Sequence, residues 1–144
     1  MADAYNVDVA LAVLERMDAI AASMDPPARA VFEDLTAEPG ELPRLMLQPA
    51  SAEAYQRRYI QGAPLEAFPF DATLRVAAVS EGDRLAAFKW LADLGRAFED
   101  GPLEVPGATV YLHRPSTIPT CLGRTERFED WQISFSVMYK TKEA

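Results

Sequence analysis

Ten residues near the end of the chain leave it little choice of fold. Trp131, Ile133, Phe135, Val137 and Tyr139 alternate without a break with Gln132, Ser134, Ser136, Met138 and Lys140. A period of two gives one apolar and one more polar face only in an extended strand. A strand over residues 131–140 needs a neighbour for its backbone groups and a covering layer for its apolar face. The pattern recurs within residues 65–79, where Phe68, Phe70, Ala72, Leu74, Val76 and Ala78 occupy every second position around Asp71, Thr73 and Arg75. Pro69 has no amide donor, which places the start of that strand at a sheet edge or a bulge.

Two helical patterns supply the covering layer. Residues 4–24 carry Val7, Ala10, Leu11, Leu14, Met17, Ala21 and Met24 at three-and-four spacing, and Asp25-Pro26-Pro27 ends the run. Residues 82–100 place Leu85, Phe88, Leu91, Ala92, Gly95 and Phe98 in the same way, closed by Gly101-Pro102. Shorter strands are predicted over residues 44–48, over 55–61 before a Gly62-Ala63-Pro64 break, and over 108–113. Residues 26–43 fit either a short helix or a strand around Val31 and Phe32. The expectation is an α+β fold in one domain over residues 1–144, with a mainly antiparallel sheet of roughly four to five strands and both helices on one face. Residues 114–130 lack periodicity and contain Pro115, Pro119 and Gly123. A loop of that length is either a contact surface or a plain mobile connection.

Side chains that carry chemistry are scarce. The single cysteine, Cys121, has no partner for an internal disulfide, and with the single histidine, His113, it falls short of a structural zinc site. With 49% hydrophobic residues the chain needs neither to fold. His113 alternates with apolar neighbours and reads as a strand residue rather than a catalytic base. Cys121 reads as a bystander thiol. The acidic pairs Glu33-Asp34, Glu99-Asp100 and Glu129-Asp130 fall at predicted element ends and read as solvated termini. No glycine-rich phosphate loop occurs. The expectation is a chain with no catalytic residues, cofactor or metal.

A net charge of −8, from 22 acidic and 14 basic side chains, repels nucleic acid at long range. No run is apolar and long enough to cross a membrane, and assembly in a reducing cytoplasm is expected. Arg57 and Arg58 stand beside Tyr55 and Tyr59, a composition that suits protein contact, with a solvated strand face and nucleic acid as alternatives.

Tyr59-Ile60-Gln61-Gly62, the Phe68-Pro69-Phe70 strand opening, the following helix, Leu122-Gly123-Arg124-Thr125-Glu126, and the run from Trp131 to Tyr139 together resemble the minor capsid and tail-terminator proteins of long-tailed bacteriophages. The resemblance spans about residues 44–140. It implies a small α/β subunit that forms a hexameric ring, caps the tail tube and meets the head–neck connector protein, with DNA passing through the ring. Another head–tail connector role, or a small oligomeric ligand-binding domain, is the alternative. The family has no catalytic motif to carry over. Gly62 and Gly123 match its turn positions, and Glu126 a position for pairing between subunits. For the interface, the residues singled out are Tyr55, Arg57, Arg58, Tyr59 and Phe68 in the hairpin, and Arg114, Arg124, Glu126 and Arg127 in the unpatterned stretch.

Overall fold

The alternating C-terminal run is the second-innermost strand of a sheet built on it. The computed structural model describes residues 2–32, 43–50, 55–57, 65–77 and 81–141, and side chains within 7–32, 43–50, 66–77 and 84–140. The described residues form α1 (Ala2–Ala22), β1 (Arg29–Phe32), β2 (Arg44–Pro49), β3 (Tyr55–Arg57), β4 (Leu65–Ala77), α2 (Glu81–Glu99), β5 (Ala108–Pro115), β6 (Thr120–Arg124) and β7 (Phe128–Thr141).

The sheet runs β1-β2-β4-β7-β5, with β3 also paired to β4 and β6 also paired to β7. Strand β2 pairs with β4 from Arg44↔Arg75 to Pro49↔Phe70, and β3 takes over at Tyr55↔Glu66. Likewise β5 follows β7 from Ala108↔Thr141 to Pro115↔Phe135, and β6 resumes at Thr120↔Gln132. The two short strands therefore continue rows begun by β2 and β5. The undecided stretch contains β1, which pairs parallel to β2, while every other described pairing is antiparallel. The α+β class holds and the sheet is mixed.

Both helices lie on the face presented by the alternating apolar residues. Leu45, Leu47, Phe70, Ala72, Leu74, Ile133, Phe135, Val137 and Tyr139 are buried there in one core with residues of α1 and α2. The Phe70 ring stacks on Phe135 at 5.0 Å and meets Phe98 of α2 edge-on at 5.7 Å. Gly95 lets α2 approach this face, because a Cβ there would lie 2.8 Å from Pro115 Cγ and 3.3 Å from Ile133 Cδ1. Arg16 of α1 ties the helices together. Its guanidinium donates to the carbonyls of Phe98 (2.9 and 3.2 Å), Pro102 (2.9 Å) and Asp100, satisfying acceptors that a helix end leaves open.

Several expectations require correction. The buried face of α1 is Val9, Val13, Met17 and Ala21, while Val7 and Leu11 are 64% and 52% exposed. Apolar residues repeat at four-residue spacing on both faces of this helix, so periodicity alone could not choose between them. In α2 the buried positions include Trp90 and Leu94, and Leu85 and Phe88 are exposed. Of the two alternatives for Pro69, the edge is overturned, since the residue lies in an interior strand. An irregularity is present near the strand's start, where the β3 pairing shifts register between Tyr55 and Arg57. The Pro69 carbonyl accepts from Ala50 N at 2.9 Å, so its missing donor faces the point where pairing passes from β2 to β3. Residues 114–130 are not a loop: the end of β5, all of β6 and the start of β7 lie within them.

Glu66 is buried on the helix-facing side of β4, across from Tyr139. Burial pushes its carboxyl above the ordinary carboxylate range. A raised folded-state value means that the group's contribution is favourable below the unfolded value and is lost as pH rises through the folded one. Glu66→Gln should therefore raise the melting temperature at neutral pH and change it little below about pH 4, as read by thermal unfolding across pH. An equal gain at both pH values would contradict the assignment.

Candidate functional site

Strand β6 has no buried residue, and this is why it left no period in the sequence. It is held instead by its ladder to β7 and by a short turn. Thr125 organises that turn: its Oγ1 accepts from Arg127 N (3.2 Å) and Phe128 N (2.9 Å), and its own amide donates to Phe128 O at 2.8 Å. Glu126 and Arg127 are exposed at the tip. Gly123 stands at a register shift within β6, and an added Cβ would meet nothing within 4 Å, so the expected turn requirement for glycine does not apply there.

A charged cluster fixes the hairpin to the body. Glu129 is 1% exposed, and its Oε2 lies 3.3 Å from Arg84 Nε of α2 and 3.4 Å from Arg124 Nε of β6. Trp131 Nε1 donates to Glu129 Oε1 at 2.7 Å. One residue on, Asp130 takes two 2.9 Å hydrogen bonds from Arg75, whose guanidinium also lies 4.8 Å from the centre of the Phe128 ring. The hydrogen bonds that Arg75 donates to Asp130, and then the charge of that carboxylate, raise the Arg75 pKa against the opposing effect of burial. The Glu129-Asp130 pair is thus not a solvated terminus. Its arginine partners lie 5 to 55 residues away in sequence, and no local pattern pointed to them.

The predicted interface residues separate into two groups. Arg114, Arg124, Glu126 and Arg127 share the outer side of β7, on β5, β6 and the turn. Tyr55 and Arg57 lie on β3 beyond the opposite edge of β4, with their side chains outside the described set, and Arg58, Tyr59 and Gly62 lie outside the described residues. Phe68 is buried in the core, with its ring 5.7 Å from Phe70. It cannot serve as an exposed contact, although it floors a groove of about 370 Å³ lined also by Val7, Leu11, Phe32 and Pro49.

His113 is held by the fold. Its Nδ1 lies 3.0 Å from Phe98 O and its ring stands perpendicular to Phe98. Cys121 is exposed, across the ladder from Trp131. Trp131 is half-buried rather than enclosed, so its removal should cost less than the roughly 3–5 kcal/mol of a fully buried aromatic.

No protein-family model matches the sequence, and no curated protein matches it. Solved structures do share the fold. One, whose name states no function, superposes with a TM-score of 0.63 at 14% identity, covering 95% of this chain and 96% of its own. Another belongs to the virion of a native gene transfer agent particle, with a TM-score of 0.63 and 14% identity over 89% of this chain and 91% of its own. At such identities the likeness establishes a shared fold.

Proposed function

We propose that this chain is a structural subunit of a virion, with no catalytic role, and that it forms a hexameric ring capping a phage tail tube and joining it to the head or neck. The observation that carries the reading is the fold held in common, over about nine-tenths of both chains, with a component of a virion particle. The exposed hairpin of β6 and β7 supports it, because a pre-organised edge with unburied apolar and arginine side chains suits repeated protein contact. The sequence resemblance to tail terminators supports a position at the tail end. In this reading the partners are further copies of the chain, the tail tube protein and the head–neck connector protein. The ring is assembled in the host cytoplasm, and the net charge of −8 lets DNA pass without being held.

Electron microscopy of particles made without this chain tests the role. Tails of uncontrolled length, and heads left unjoined, are expected. Tails of normal length joined to filled heads would refute the capping function.

A further inference from the structure

Two stretches along β7 carry surfaces that complement each other. Alongside residues 129–136 of β7, the β5–β6 row presents Ile118 and Leu122, 72% and 55% exposed. Exposed Arg114 and Arg127 flank them, and neither guanidinium has a side-chain partner among the described residues. At the C-terminal end of β7, where β5 begins beside Thr141, a groove of about 810 Å³ runs between α1 and residues 103–110. Asp8, Glu15 and Glu104 stand around it with the half-exposed Leu11. None of these three carboxylates is ion-paired among the described residues.

The groove begins beside residues 139–141 of β7, while Arg114 is opposite Ser136 and β6 is opposite residues 129–132. The separation along the strand therefore runs from about 10 Å for Arg114 to about 40 Å for Arg127, at a rise near 3.3 Å per residue. Both surfaces are fixed in one sheet by their pairing to β7, so one copy does not fold its hairpin onto its own groove. Pairing hairpin with hairpin would oppose arginine to arginine. The outer edge of β1 is already partly occupied, since Ala30 N donates to Asp18 Oδ1 at 2.9 Å.

We infer that the β6–β7 hairpin of one copy, together with the end of β5 and the residues joining it to β6, docks in the acidic α1 groove of the next, with Ile118 and Leu122 against Leu11 and with Arg114 and Arg127 facing Glu15 and Glu104. Apolar side chains supply the contact area, and the opposed charges select orientation. The contact joins unlike surfaces, so it propagates head to tail and closes into a ring when the rotation between copies permits. This inference rests on the ring reading and names its two surfaces.

The test uses sedimentation velocity and native mass on the full chain. Arg114→Glu with Arg127→Glu should weaken self-association at least about 100-fold, as should Glu15→Lys with Glu104→Lys. Arg124 is left in place so that its pair with Glu129 survives. The variant carrying all four changes should regain assembly, which a merely misfolded protein would not. Mixing the two double variants should also restore assembly, as alternating copies, because each hairpin then meets a groove of opposite charge and an even-numbered ring can close. A wild-type chain that stays monomeric at its highest soluble concentration would overturn the ring reading and the docking with it. A wild-type chain that assembles, with double variants assembling undiminished, would overturn the docking alone.

Discussion

Replacing Phe70 by alanine should remove about 3–5 kcal/mol of folding stability, in the range for a fully enclosed aromatic. Phe70 lies where the layers meet: its ring stacks on Phe135 of the neighbouring strand and abuts Phe68 and Phe98, and it is 1% exposed. A smaller side chain leaves a void that the paired strands on both sides of β4 cannot close. Denaturant unfolding checks this through a lowered midpoint with an unchanged slope. Loss of less than about 1 kcal/mol would mean that the site collapses freely and that the core is organised elsewhere.

The second large effect is expected at the buried carboxylate. Arg84→Met combined with Arg124→Met should cost about 3 kcal/mol, because Glu129 would be left buried with neither of its cations. Glu129→Gln should cost less: the two arginine side chains are 38% and 44% exposed and can regain water. The amide can still accept from Trp131 Nε1. A double-mutant cycle over Arg84 and Glu129 measures the coupling. If Glu129→Gln proves costlier than the loss of both arginines, the desolvation argument is wrong for this cluster.

These two sites also show what the sequence could and could not disclose. The strands carrying Phe70 and Phe135 were legible because each has one apolar and one mostly polar face, and that difference is written as a strict alternation. The helices were legible as helices. Their orientation was not, since Val7 and Leu11 compete with Val9 and Val13 for the core at identical spacing, and packing against the sheet decides in favour of the second pair. Strand β6 escaped because all five of its residues are exposed. With no face to distinguish, there is no period to read. Of the residues singled out as a candidate interface, Arg114, Arg124, Glu126 and Arg127 lie along one side of β7. Phe68 was misassigned because its alternation marks burial, not contact. The burial of Glu129 was invisible because it depends on arginines that only the fold brings near. The acidic groove between α1 and residues 103–110 belongs to the same class, since Glu15 and Glu104 are 89 residues apart.

Cryo-electron microscopy of the junction between tail and head, in phage particles produced with this chain, tests the central claim most directly. The account predicts a ring of repeated copies seated on the end of the tail tube, with each β6–β7 hairpin against the α1 groove of its neighbour. A purified particle containing no copy of the chain, or a junction at which copies do not touch one another, would contradict it.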